Sequence, residues 1–134
     1  MDREELRQMI ADYMEKGFLE NIVDMFLHDP ALYDLVGELI TDERIRVRIG
    51  VTALMEELAR RDKENIERAI DPLVPLLYDS NPTVRGDAAN LIALTGSPRV
   101  PKLLLPLLED EDGQVREMIR ETLDEYNTDK REDV

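Results

Sequence analysis

Two features of the sequence have residue types that could support chemistry. His28 is the single histidine, and three aspartates lie within six residues of it. Metal ligation or acid–base catalysis would require further partners, and these aspartates suit helix surfaces and caps better. The acidic run 109–113 resembles a calcium loop but lacks the alternating oxygen ligands and distal Glu of an EF-hand. With no cysteine, phosphate loop or nucleophile elbow, the sequence predicts no catalytic residue, no metal site and no cofactor.

The charge and hydropathy of the chain narrow the classes of partner. A net charge of −14, from 31 acidic and 17 basic residues, disfavours nucleic acid, whose affinity rests on Lys and Arg. The longest apolar run, 103–108, is too short to span a membrane, and the N-terminus is too charged for a signal peptide. We therefore expect a cytoplasmic protein that binds neither nucleic acid nor membrane.

One stretch departs from this acidic character. Six basic residues concentrate there: Arg44, Arg46, Arg48, Arg60, Arg61 and Lys63. A local basic strip is one interpretation, and a solvated face neutralised by neighbouring acids is the favoured one.

A spacing that occurs three times organises the rest of the chain. Two apolar residues precede an Asp, and Val-Arg follows five and six positions after it. The three Asp–Arg pairs are Asp42 with Arg48, Asp79 with Arg85, and Asp110 with Arg116. The copies are 37 and then 31 residues apart, which is typical of stacked supersecondary units.

Apolar residues at helical spacing, with Gly, Pro, Asn and Asp as boundary signals, predict the elements that carry these motifs. Eight helices are expected, at about 3–16, 18–27, 30–40, 43–61, 63–78, 82–94, 99–108 and 113–126. Thr41 or Asp42 should cap the fourth helix, and Pro72 with Pro75 should kink the fifth. Alternating charged and branched residues over 44–49 also fit a strand, but no second strand of similar quality is available to pair with it.

The short connections make successive helices antiparallel, so the predicted fold is all-α, with four helical hairpins in a single domain, 1–134. Clear repeats are expected at about 31–61, 63–95 and 98–126. An atypical N-terminal pair occupies 1–28, because end units of such arrays have one side facing water. The polar tail 127–134 is expected to fray.

The segment 73–91, with Pro75, the Asn81-Pro82 helix start and Ala88, resembles the HEAT repeat. The shorter unit 96–116 looks like the phycobilisome-lyase-type variety of that repeat. The resemblance implies a right-handed α-α superhelix, or solenoid. It also implies a structural ladder between adjacent repeats, made by the turn Asp and the second-helix Arg of each motif. The small residue of the family, Ala88 here, is replaced by Val51 and Ile119 in the other copies.

A solenoid of this kind binds by extended area rather than by one reactive centre. We therefore expect a non-catalytic protein-interaction or scaffold module, whose partner, of unknown identity, binds the face lined by the second helices. The repeat alignment places six residues on the outward ridge of those helices: Gly50, Ala53, Asp87, Asn90, Arg120 and Glu121. Two alternatives remain, namely an accessory subunit of a bilin-lyase-like system, which rests on the resemblance alone, and a self-assembling homo-oligomer.

Overall fold

The computed structural model describes residues 1–132, with side chains as far as Thr128. Within this part of the chain the regular structure is all helical, with no strand. The α-helices are α1 Arg3–Glu15, α2 Leu19–His28, α3 Val36–Ile40, α4 Ile45–Arg61, α5 Ile70–Leu73, α6 Pro82–Leu94, α7 Val100–Leu104 and α8 Gly113–Glu132. The all-α prediction is confirmed, and 45–49 belongs to α4 rather than to a strand.

The first helix of each repeat is a composite of α and 3-10 turns. Its 3-10 segments are Pro30–Leu35 before α3, Ile66–Ala69 before α5, Val74–Tyr78 after α5, and Leu105–Glu109 after α7. Proline lacks a backbone N–H and clashes with the carbonyl four residues earlier, so an α-helix with internal prolines gives way to tighter 3-10 turns. The fifth helix expected at 63–78, with Pro72 and Pro75 inside it, is divided into three short segments rather than being one α-helix.

The second helices are longer and begin at turn residues. Asn81 caps α6 by accepting a hydrogen bond from the Thr83 amide at 2.9 Å. The expected cap of α4 by Thr41 or Asp42 is wrong, since Arg44 holds the N-cap position and its side chain caps nothing. Asp42 instead accepts the backbone amide of Arg44 at 2.9 Å and so shapes the turn before the helix.

The last helix is longer than expected. α8 continues through Glu132, six residues beyond the predicted end at Tyr126. Neither Gly nor Pro interrupts this stretch, and the Thr128 hydroxyl donates to the Asp124 carbonyl at 2.8 Å. The tail predicted at 127–134 is thus helical as far as Glu132, and its last two positions lie outside the described residues.

Two layers of helices enclose one apolar core. α4, α6 and α8 pack side by side in chain order, and the composite first helices lie against them. α1 extends the layer of second helices by packing on α4, where Met14 meets the bare backbone of Gly50. The core contains the small-residue position of each repeat, and Val51, Ala88 and Ile119 are all fully buried.

Candidate protein-binding site

The repeated Asp and Arg first of all stabilise their own turn. Each turn Asp accepts the backbone amide two residues later, at 2.9 Å in all three copies. Each Arg returns to its own turn and donates Nη1 to the carbonyl oxygen of that Asp. The distances are 2.8 Å from Arg48, 2.7 Å from Arg85 and 2.6 Å from Arg116. The six-residue spacing therefore closes a turn within the repeat, a contact that sequence reasoning had assigned only between repeats.

A carboxylate–guanidinium contact between adjacent repeats occurs at one of the expected places. Arg85 donates Nε and Nη2 to the two carboxylate oxygens of Asp110, both at 2.8 Å, and the two side chains are only 7% and 8% exposed. This bidentate contact holds the pKa of Asp110 below its usual range. Among the described residues, Arg48 forms no ion pair with Asp79, and no repeat turn follows Arg116.

The first repeat is joined to α1 by a different set of charges. Arg44 donates to Asp42 at 3.0 Å, to Asp12 at 2.9 Å and to Glu15 at 3.3 Å. The hydrogen bond from Arg44 holds the pKa of the Asp42 carboxyl below its usual range. Most of the charged residues that line the cleft of about 540 Å³ in this region already have partners, namely Arg7, Glu38, Asp42 and Arg44.

Four of the six basic residues in the stretch 44–63 have acidic or carbonyl partners, and the other two, Arg46 and Lys63, are exposed. Arg44 is paired as above, Arg48 is bound to turn carbonyls, Arg60 pairs with Glu57, and Arg61 pairs with Glu20 at 3.3 Å. The favoured interpretation of a neutralised, solvated face agrees with these contacts.

The ridge residues expected from the repeat alignment fall into two groups. Gly50 and Asp87 occupy equivalent positions, eight residues after the turn Asp. A Cβ at Gly50 would lie 2.1 Å from Met14 Cγ, so Gly50 is not on the outward ridge and that expectation is wrong. Asp87 is half-buried; desolvation raises the pKa of its carboxyl, and the charge of Arg48 opposes this effect.

The other positions face solvent. Asn90 and Glu121 are exposed, and Ala53 is partly exposed at the equivalent position of α4. Arg120 is also exposed, but its guanidinium contacts Glu117 one turn earlier at 2.7 Å. Such surface pairs contribute little stability and exchange readily with other partners.

Sequence reasoning missed the most apolar part of this ridge. Ile45 and Ile49 lie one turn apart on α4, and their side chains are 63% and 62% exposed. The signal for this pair in the sequence is the alternation of charged and branched residues over 44–49, which also fits a strand. We define the second-helix ridge as Ile45, Ile49, Ala53, Asn90 and Glu121, with half-buried Asp87 beside it.

The residues first considered for chemistry have structural contacts. The ring Nδ1 of exposed His28 donates to the Asp24 carbonyl oxygen at 2.8 Å. Asp112 caps α8 by accepting the amides of Gln114 and Val115 at 2.9 and 3.0 Å. Among the described side chains, which end at Thr128, no group of three or more His, Asp or Glu residues could hold a metal ion. Over residues 1–132, no helix has the length and apolar character needed to cross a membrane.

Comparison with known proteins identifies the family of the repeat. A family model described as HEAT repeats matches residues 32–124, which is more than half of the chain. The chain belongs to the HEAT repeat family. HEAT repeats generally mediate protein–protein interaction or scaffolding and are typically non-catalytic. The match does not distinguish the phycobilisome-lyase-type variety from other HEAT repeats. No match was found among curated proteins or among solved structures.

Proposed function

We propose that this HEAT repeat chain is a non-catalytic interaction module whose protein partner binds the second-helix ridge. The observation that carries the proposal is the pair of exposed isoleucines on α4. Their neighbours on α6 and α8 are polar or small, so the ridge combines a compact apolar centre with a polar surround. Protein interfaces have this composition, with an apolar core that loses water and a rim that stays hydrated.

The energetic argument concerns what exposed isoleucines gain on binding. Fully burying one aliphatic side chain contributes about 1.5–3 kcal/mol, so Ile45 and Ile49 together could supply a large part of a moderate affinity. Neither contributes this energy in the free protein, because each leaves more than half of its side chain in water. A partner with an apolar segment would bury both.

The polar residues on the ridge and beside it would determine which apolar segment binds. Asp87, Glu121 and Asn90 offer carboxylate and amide oxygens, and Arg120 already contacts Glu117. Acidic surroundings repel acidic partners and favour basic or polar segments. Charge reversal at Asp87 together with Glu121 is therefore expected to weaken binding while leaving the melting temperature unchanged.

The test compares two matched surface variants in capture from extracts of the source cell. Ile45→Glu with Ile49→Glu alters the ridge, and Leu105→Glu alters a side chain that is 58% exposed on the composite layer. A protein that binds the wild type and the Leu105 variant, but not the double variant, is the expected partner. Retention of every captured protein by the double variant would contradict the ridge as the binding face.

The same variants separate binding of a different protein from self-association. Light scattering over a range of protein concentrations measures the oligomeric state of each variant. A wild-type dimer that dissociates in the Ile45→Glu, Ile49→Glu variant would show that the partner on this ridge is a second copy. A monomer at all concentrations would exclude a second copy as the partner on this ridge.

A further inference from the structure

Beside the ridge, a cleft of about 200 Å³ separates α6 from α8. Its apolar lining comes from Pro82, Gly86, Val115 and Met118. A Cβ added at Gly86 would lie 3.5 Å from Met118 Sδ, so any longer side chain at this position would enter the cleft. The cleft is therefore open because residue 86 has no side chain.

Two carboxylates line the cleft as well, and they differ in their contacts. Asp112 is occupied in capping α8, through the amides of Gln114 and Val115. Asp87 accepts no hydrogen bond and forms no ion pair within 4.0 Å among the described residues, although it feels the charge of Arg48 at longer range. A half-buried carboxylate that has lost part of its hydration without gaining a close donor is stabilised by a cation that reaches it.

We propose that the cleft between α6 and α8 binds a lysine or arginine side chain of the protein partner. Asp87 receives the cationic group, and Gly86, Val115 and Met118 contact the methylenes. Lysine and arginine match this arrangement because each has an apolar stem and a charged end. A purely apolar side chain would bury Asp87 further without a partner, and an acidic side chain would be repelled by Asp87 and Asp112.

This inference rests on the proposed function, because the same partner contacts the ridge and the cleft. Neighbouring helices pack about 8–10 Å apart, so the cleft between α6 and α8 lies roughly 15 Å from the α4 ridge. An extended chain advances about 3.3 Å per residue. The partner segment therefore carries its basic residue about four or five positions from the apolar residue that covers Ile45 and Ile49.

The test begins with a random library of displayed 12-residue peptides, selected against the full chain. Enriched peptides are expected to share one Lys or Arg at this distance from an apolar residue. Fluorescence polarisation then measures the affinity of one enriched peptide for several variants of the chain. Asp87→Asn is expected to weaken binding about tenfold, the usual scale for losing one charged contact. Gly86→Leu, which fills the cleft, is expected to weaken binding at least as much.

The controls test whether each variant still folds and whether the loss of any surface carboxylate weakens binding. Asp34→Asn removes an exposed carboxylate on the composite layer and is expected to leave the affinity unchanged. Circular dichroism melting identifies any variant that has lost its fold. Replacing the basic residue of the peptide by norleucine is expected to weaken binding to the wild type but to have little effect on the Asp87→Asn variant, because the same contact is already absent.

The outcomes distinguish the cleft from the ridge. Peptides that lose binding to Ile45→Glu, Ile49→Glu but bind Asp87→Asn and Gly86→Leu normally would overturn the cleft proposal and leave the ridge as the binding face. Peptides unaffected by the isoleucine changes would overturn the proposed function itself. A selection that enriches no basic residue, or no peptide at all, also overturns the cleft proposal.

Discussion

Gly50 in α4 and Gly86 in α6 both lie inside second helices, yet alanine at the two positions is expected to change stability in opposite directions. Glycine within a helix is less favourable than alanine by about 0.5–1 kcal/mol, so helix propensity alone predicts that both substitutions stabilise the chain. The surroundings differ. A Cβ at Gly86 would lie 3.5 Å from Met118 Sδ, an ordinary contact distance, whereas a Cβ at Gly50 would lie 2.1 Å from Met14 Cγ.

The magnitude at Gly50 follows from that overlap. Met14 is 5% exposed and its Sδ would also lie only 2.4 Å from the new Cβ, so the side chain or the α1–α4 spacing has to change. Overpacking of this kind costs about 1–3 kcal/mol. After the gain in helix propensity, we expect Gly50→Ala to lower the free energy of unfolding by about 1–2 kcal/mol. Gly86→Ala should raise it by about 0.5–1 kcal/mol.

Urea unfolding followed by circular dichroism at 222 nm measures both changes. A Met14→Ala background tests the cause, because removing Cγ and Sδ removes the overlap. In that background, Gly50→Ala should no longer destabilise, which appears as a coupling energy between two residues in contact. The reasoning is refuted if Gly50→Ala stabilises the wild-type chain as much as Gly86→Ala does, or if its effect is the same with and without Met14.

Three further predictions concern the buried polar contacts. Arg85→Ala should lower the melting temperature more than Arg48→Ala, measured by calorimetry, because only Arg85 holds a buried carboxylate of the next repeat. The lowered pKa of Asp110 means that this contact stabilises the fold at neutral pH and is lost as pH falls through that pKa, below about pH 4. The urea midpoint of Asp110→Asn should therefore fall less steeply between pH 5 and pH 2 than that of the wild type. Tyr33→Phe removes the 2.9 Å hydrogen bond to Asp62 and should cost about 1 kcal/mol in urea unfolding. Burial, the main cause, together with the hydrogen bond to Asp62, raises the pKa of Tyr33, so the phenol stays protonated and keeps donating at neutral pH.

The helical repeats could be predicted from sequence because their signals are local. Apolar spacing, the Asn81-Pro82 start and the Gly17 and Gly96 stops act within a few residues of the boundaries they mark, and both glycines have the positive φ expected of them. The composite first helices were not predicted in detail. Whether an internal proline kinks an α-helix or replaces it with 3-10 turns depends on how neighbouring helices compensate the lost hydrogen bond.

The candidate site likewise has features that the sequence predicts and features that only the packing of helices decides. Exposure of Asn90 and Glu121 could be predicted because equivalent positions of a repeat face the same way. Gly50 was misplaced because α1, which does not carry the motif, packs on α4 and covers that position. The apolar pair Ile45 and Ile49 was missed because branched residues near a helix start are as consistent with burial as with exposure.

The sequence by itself determined the all-α class, the threefold motif and the position of its turns, since these depend on near neighbours along the chain. Tertiary structure decided which Arg reaches a carboxylate of the next repeat, which glycine admits a methyl group and which apolar side chains remain in water. Those outcomes depend on distances between helices, which the local sequence of one repeat does not specify. Arg48 and Arg85 occupy the same position of the motif, and only Arg85 pairs with a carboxylate of the following turn.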